Sequence, residues 1–147
     1  MKKAINELKL RLPAKSENEA VARALVCSFA ATLDPTVGEL ADLRCAVSEA
    51  VTNVVVHAYR ELKDSAAGRI YISVRLYDTR EITVEITDTG CGIADVEKAR
   101  EPFFTTGKED ERCGMGFLVM ESYTDSLTVR SKPGRGTTVI MKKKLTP

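Results

Sequence analysis

Apolar and polar residues alternate near the start of the chain. Leu8, Leu10 and Leu12 are separated by charged residues, and this period of two predicts a half-buried strand that ends at Pro13. The pattern then changes to a helical one. Ser16 and Glu19 have the spacing of a capping box, so the first helix is predicted to begin there. Its predicted apolar face consists of Ala20, Val21, Ala24, Leu25, Ser28 and Phe29.

A second helix is predicted directly afterwards. Asp34 is the expected N-cap, and Pro35 occupies the first helical position, where its fixed φ is favourable. One face of this helix is apolar over almost six turns, which indicates that it packs on a sheet. That face consists of Val37, Leu40, Leu43, Val47, Ala50, Val51, Val54 and Ala58.

The second half of the chain returns to the period of two. Residues 70–76 and 82–86 alternate between apolar and polar positions on either side of a short turn, which predicts a hairpin with one apolar face. The stretch 89–116 contains five glycines and is loop-like apart from a short helical candidate near 96–100. A helix at 117–123 and strands around 127–129 and 137–142 complete the pattern.

This order of elements predicts a two-layer α/β sandwich, with helices on one face of a mixed, mainly antiparallel sheet. The whole chain, 1–147, is expected to form a single domain, with a lid at about 93–116.

Composition narrows the possible partners and location. The chain has 147 residues, with 22 basic and 21 acidic side chains and a net charge of +1, so no overall field favours nucleic acid or an anionic membrane. No apolar run approaches the roughly 20 residues that span a bilayer. The cysteines form no Cys-x-x-Cys pair and there is one histidine, which makes a zinc site improbable. A cytoplasmic protein with reduced thiols is expected.

Three polar residues follow one another along the second helix. Glu49, Asn53 and His57 are spaced by four, so they form a stripe beside the apolar face. The oxygen of Asn53 is suited to a Mg²⁺ ion that phosphates also hold, and Glu49 could polarise an attacking hydroxyl. The helix alone fits a solvated polar stripe slightly better.

Asp88 changes that balance. It follows Ile82, Val84 and Ile86 at every second position of the strand and is therefore predicted to point toward the same buried face. A buried carboxylate needs a donor, and the exocyclic amine of a purine is one candidate. Gly90 and Gly92 would let the backbone approach a flat ligand. The alternative is an Asx turn at the end of a strand.

A second glycine pair precedes the predicted helix at 117–123. Gly114 and Gly116 would place backbone N–H groups at a helix N-terminus, where phosphate oxygens bind. Together, the polar helix, the Asp88 turn, the glycine-rich stretch and this pair predict a pocket for ATP and Mg²⁺.

The same motifs resemble those of the GHKL family of ATPases and kinases. Residues 48–57 are similar to its N box, 88–93 and 114–117 to its two G boxes, and 136–138 to its closing strand motif. By this resemblance Asp88 and Thr137 read adenine, Asn53 holds Mg²⁺ and Glu49 is the general base.

A closer resemblance, over nearly the whole chain, is to the sporulation anti-sigma-F factors. It rests on residues 16–19, 33–36, 48–53, 102–106 and 111–117. It implies a dimeric serine kinase, using ATP and releasing ADP, that sequesters a sporulation sigma factor and phosphorylates an anti-anti-sigma partner. Arg23 would contact both partners, and the lid residues Thr105, Thr106 and Arg112 would approach the phosphates. The chain departs from the family at Cys113, where serine is more common, and at Cys91.

Other functions remain to be distinguished. A nucleotide-gated binding module without kinase activity and a related stress-response anti-sigma kinase fit the same motifs. A mechanical ATPase is disfavoured, because no domain that could convert hydrolysis into movement is expected after the ATP-binding domain in this sequence. A self-contained histidine kinase is excluded, since His57 is the only histidine and lies within the ATP-binding helix.

Overall fold

A computed structural model describes residues 1–64, 67–101 and 116–147. Its strands are β1 (Ala4–Pro13), β2 (Arg69–Tyr77), β3 (Glu81–Asp88), β4 (Ser126–Ser131) and β5 (Thr137–Lys144). Its α-helices are α1 (Glu17–Ala30), α2 (Val37–Asn53), α3 (Val96–Ala99) and α4 (Gly116–Ser122). A 3₁₀ turn (Ala31–Leu33) follows α1, and a π-helical turn (Val54–Ala58) follows α2.

The five strands form one sheet in the order β1-β2-β3-β5-β4. Each of the four pairings between described strands is antiparallel. Helix α2 packs between α1 and α4. The predicted two-layer sandwich with a mainly antiparallel sheet is therefore confirmed.

The core lies between α2 and one face of the sheet. The alternation predicted for the hairpin is confirmed, because the apolar residues at every second position of β2 and β3 are at most 2% exposed. These residues are Ile70, Ile72, Val74, Leu76, Ile82, Val84 and Ile86. The predicted face of α2 is also buried from Leu43 to Ala58, but Val37, in the first turn, is 89% exposed. Helix α2 is thus anchored by its C-terminal half, the half that carries the predicted site.

The predicted apolar face of α1 is wrong. Val21 and Leu25 are each 42% exposed, whereas Ala22, Val26 and Ala30 are fully buried. Two alanines in the buried stripe leave room for α1 to pack closely against α2. Val21 and Leu25 are consequently left on the outer side of α1, whereas Phe29 is partly buried against the core.

The predicted capping box at the start of α1 is also wrong. The Ser16 side chain makes no capping hydrogen bond. Glu19 instead accepts a hydrogen bond from the Ser48 hydroxyl of α2, and it pairs with Arg23 one turn later at 3.5 Å. A contact between helices has therefore replaced the local contact that the spacing predicted.

The capping box belongs to α2. The Thr36 hydroxyl accepts from the Glu39 N–H at 3.0 Å, and the Glu39 carboxylate accepts from the Thr36 N–H at 2.9 Å. Asp34, predicted as the N-cap, has a left-handed backbone (φ 55°) and ends the 3₁₀ turn. The helix therefore begins later than the proline signal indicated.

Helix lengths and thiols complete the description of the fold. Among the described residues, no helix is long and apolar enough to cross a membrane. Cys27, Cys45 and Cys91 are free thiols, and Cys113 lies outside the described residues.

Candidate functional site

Asp88, the last residue of β3, is 5% exposed and is the one buried charged or polar residue among those described. Its predicted inward direction is confirmed. Its carboxylate accepts from the Gly90 N–H at 2.9 Å, which is an Asx turn, and from the Thr137 N–H. Burial raises the pKa of Asp88, and these two N–H donors offset part of that increase. The turn and the buried acceptor therefore occur together, and neither excludes the other.

The turn after Asp88 is packed directly against protein backbone. A Cβ on Gly90 would lie 1.9 Å from the Ala58 carbonyl oxygen, and one on Gly92 would lie 2.0 Å from that of Lys132. Gly92 also has a φ of 73°. Any side chain at these two positions would force the turn apart. Both glycines are thus needed for internal packing as well as for any approach of a ligand.

The α2 segment, meaning α2 with the π-helical turn that follows it, ends in hydrogen bonds to this turn. The Ala58 carbonyl, at the end of the π-helical turn, accepts from the Cys91 N–H at 2.7 Å. The Tyr59 hydroxyl accepts from the Thr89 N–H at 2.9 Å and donates to the Arg69 carbonyl at 2.6 Å. Tyr59 is 4% exposed. Sequence reasoning missed this residue, although a tyrosine beside a buried helical face needs a partner for its hydroxyl.

Glu49 and Asn53 lie one turn apart on α2, and both are half-buried. This agrees with their predicted place at the border of the core. His57, the third residue of the predicted stripe, is also half-buried and lies in the π-helical turn that follows α2. Asn53 is the last residue of α2, and the π-helical turn separates it from Ala58, whose carbonyl accepts from the Cys91 N–H. The π-helical turn therefore joins the two halves of the predicted pocket.

A row of three polar residues crosses the end of the sheet. Thr137 of β5 is paired with Asp88 of β3 on one side and with Ser131 of β4 on the other. Residues paired in this way point to the same face. Gly136, just before Thr137, has a φ of 82°, and a Cβ there would lie 2.1 Å from the Asp88 carbonyl oxygen. Gly136 therefore allows β5 to reach Asp88.

Ser131 is a site residue that sequence reasoning missed. Its hydroxyl accepts from the Ile93 N–H, donates to the Gly136 carbonyl and contacts the Thr137 hydroxyl, each at 2.8 Å. The available signal was the alternation of the strand. Leu127, Val129 and Ser131 occupy every second position of β4, so Ser131 is expected on the same inward face as the two apolar residues. Ser131 thus joins β4, β5 and the segment after Gly92.

Of the predicted phosphate-binding residues, the structure describes Gly116. Gly116 is the first residue of α4, which packs on α2. Thr105, Thr106, Arg112 and Gly114 lie outside the described residues.

The next question is which described side chains could bind a metal ion. No group of three or more histidine, cysteine, aspartate or glutamate side chains there could hold a metal ion. A Mg²⁺ ion that is bound mainly by phosphates and water, with one protein oxygen such as that of Asn53, fits this arrangement.

Arg23 lies on α1, away from the Asp88 turn. Its side chain is 38% exposed and pairs with Glu19 at 3.5 Å. The exposed Val21 and Leu25 are on the same helix. The structure therefore separates Arg23 from the pocket residues on the sheet.

Comparisons with known proteins agree with this geometry. Residues 12–143 match the family model of the histidine kinase-like ATPase domain. An anti-sigma F factor from Caldanaerobacter subterraneus is 51% identical over 138 residues, covering 94% of this chain and 93% of the relative. Another, from Clostridium acetobutylicum, is 49% identical over 139 residues, covering 95% and 94%.

A solved structure supports the fold. The RsbU and RsbW domains from Mycobacterium tuberculosis superpose with a TM-score of 0.70 at 20% identity, covering 97% of this chain and 33% of that chain. An ATPase domain is a nucleotide-binding domain, and the family match indicates kinase or ATPase chemistry. The chain belongs to the histidine kinase-like ATPase domain family and, within it, to the anti-sigma F factors.

Proposed function

We propose that this protein is an anti-sigma factor that binds and inhibits a sporulation sigma factor, and that it phosphorylates an anti-anti-sigma partner on serine with ATP. Relatives named anti-sigma F factor, 49–51% identical over more than nine tenths of both chains, support the regulatory part. The proposal includes a single domain over 1–147, a homodimer and a cytoplasmic location.

Asp88 is the observation that carries the nucleotide part. It is an acceptor held at the buried end of β3, where β5 and the end of the α2 segment meet. An ionised carboxylate only accepts hydrogen bonds, so it selects a ligand with a donor, such as the amine of adenine. In this proposal Thr137 lies beside it on the base, with Gly90 and Gly92 forming the turn.

The catalytic roles are proposed for α2. Glu49 accepts the proton of the incoming serine hydroxyl, whose oxygen forms a bond to the γ-phosphorus while the bond to the β-phosphate oxygen breaks and ADP leaves. Asn53 offers its side-chain oxygen to Mg²⁺. When bound, Mg²⁺ neutralises charge on the phosphates. The lid, with Thr105, Thr106, Arg112, Gly114 and Gly116, is proposed to contact the phosphate groups.

Labelled ATP tests the proposal directly. The protein is incubated with a sigma factor and a candidate anti-anti-sigma protein, and phosphoserine and sigma release are measured together. Transfer of label to serine with release of sigma is expected. ATP-dependent sigma binding without any phosphoserine would instead identify a nucleotide-gated binding module.

Glu49→Ala tests the base. Removal of the carboxylate is expected to reduce phosphoryl transfer by about 10²–10⁴-fold, since that is the usual contribution of a general base. ATP affinity should be retained, because the base is proposed to contact the serine and not the nucleotide. Glu61→Ala, at an exposed glutamate beyond α2, is the matched control. Unchanged transfer by the Glu49 variant would remove this residue from the mechanism.

A further inference from the structure

The positions of three oxygen atoms fix the direction of the hydrogen bonds around Ser131. The Ser131 hydroxyl oxygen is 2.8 Å from the Gly136 carbonyl oxygen and 2.8 Å from the Thr137 hydroxyl oxygen. Two oxygens at that distance need a proton between them. Ser131 and Thr137 each have one hydroxyl proton, and a carbonyl has none.

Only one assignment satisfies both contacts. The Gly136 carbonyl can only accept, so the proton of Ser131 must be donated to it. The bond between the two hydroxyls must then use the proton of Thr137. The Ile93 N–H, at 2.8 Å, occupies the remaining acceptor position of Ser131. The Thr137 hydroxyl is thus left with lone pairs and no proton for a ligand.

We infer that Ser131 is a specificity-determining residue, because it holds the Thr137 hydroxyl as a hydrogen-bond acceptor beside Asp88 and so makes the pocket select an amino group at the base edge. This inference rests on the proposed nucleotide function. Asp88 is the residue paired with Thr137 across β3 and β5, and its carboxylate also accepts. Two adjacent acceptors match the amine of adenine, directly or through a water molecule. They oppose the carbonyl that hypoxanthine carries at the same ring position.

ATP and inosine triphosphate form a suitable pair of probes. They share the ribose and phosphates and differ at the base edge. Their affinities are measured by calorimetry for the wild-type protein and its variants, and the ratio of the two dissociation constants is the readout. A general loss of structure would weaken both nucleotides together and leave the ratio unchanged.

Ser131→Ala frees the Thr137 hydroxyl to rotate and donate. The preference for ATP is expected to fall about tenfold, the effect of one neutral hydrogen bond. Thr137→Val should reduce it similarly, and the double variant should show no further loss. Ser131→Thr, which keeps the hydroxyl, should restore the preference. Ser126→Ala, at an exposed serine of the same strand, is the matched control.

The possible outcomes are distinguishable. If wild-type protein prefers ATP and Ser131→Ala keeps the same ratio, the inference is overturned while the proposed function remains. Equal binding of both nucleotides by the wild-type protein has the same meaning. If the wild-type protein binds neither nucleotide, the proposed function itself is wrong.

Discussion

At the scale of single residues, Asp88, the proposed contact to the base, is a carboxylate whose burial carries a cost in stability. Its carboxylate is 5% exposed, and burial raises its pKa above the ordinary value of 3.8. Desolvation disfavours the charged form, and the hydrogen bonds from Gly90 and Thr137 compensate only in part. The charged form of Asp88 is therefore less favourable at this buried position than it would be on the surface.

Stability measurements against pH test this interpretation of Asp88. Because the folded-state pKa is raised, the folded state binds the proton more tightly than the unfolded state. The resulting stabilisation is present below pH 3.8 and is lost as the pH rises through the raised folded-state pKa. Asp88→Asn does not titrate. The unfolding free energy of the wild-type protein relative to this variant should therefore fall as the pH rises, as measured by urea denaturation.

Parallel stability curves for the two proteins would contradict the raised pKa. A second measurement separates stability from function. Asp88→Asn should lose nucleotide affinity, since an amide presents a donor where the carboxylate accepted.

Residues of the site differed in how well the sequence predicted them. The direction of Asp88 follows from strand parity, which one buried face makes reliable. The contacts of Ser131 and Tyr59 could not be read in this way. Ser131 accepts from the N–H of Ile93, 38 residues earlier in the chain, and Tyr59 follows an irregular π-helical turn and accepts from the N–H of Thr89, 30 residues later. Parity and burial alone would have indicated them only as polar residues in need of partners.

At the scale of elements, local signals predicted which segments are helices better than where they begin or which face they bury. Every described helix was predicted, but α1 has apolar residues on two sides, and packing against α2 selected the side with alanines. Thr36 and Glu39 have the same spacing as the predicted pair Ser16 and Glu19. Only Thr36 and Glu39 form a capping box, because Glu19 accepts from Ser48 of the neighbouring helix instead.

Thr36 and Ser16 form a natural pair of test positions for this difference. Thr36→Ala removes one half of a capping box and is expected to cost about 1 kcal/mol of unfolding free energy. Ser16→Ala should change stability by less than about 0.5 kcal/mol, because its side chain makes no capping bond. Chemical denaturation of both variants gives the comparison. Equal losses would mean that Ser16 caps α1 in solution.

At the scale of the whole molecule, the proposed partner surface and the nucleotide site lie on different elements. Helix α1 packs on α2 and β1, whereas the Asp88 turn is held by the end of the α2 segment, β4 and β5. On α1, Arg23 is two positions from each of the exposed Val21 and Leu25, which is about half a turn around the helix, so the charge and the two apolar side chains lie on different sides.

Arg23→Ala is expected to weaken binding of both the sigma factor and the anti-anti-sigma protein, with nucleotide affinity unchanged. An arginine at the centre of an interface typically contributes more than about 1 kcal/mol, or roughly a fivefold to tenfold change in affinity. Titration calorimetry with each partner and with ATP measures all three affinities. Lys63→Ala, at an exposed lysine, is the matched control. Loss of ATP affinity in the arginine variant would place Arg23 in the pocket.

The polar row of Asp88, Thr137 and Ser131 has a thermodynamic consequence for the whole protein. Its members come from three strands that meet only when the sheet is complete, so an unfolded chain has no nucleotide site. Any ligand of this row then shifts the folding equilibrium by mass action, by about 2.7 kcal/mol at a concentration one hundred times its dissociation constant. The thermal midpoint should rise with ATP concentration, and a constant midpoint would show that the row binds none. The lifetime of the folded protein in a cell would accordingly depend on its supply of nucleotide.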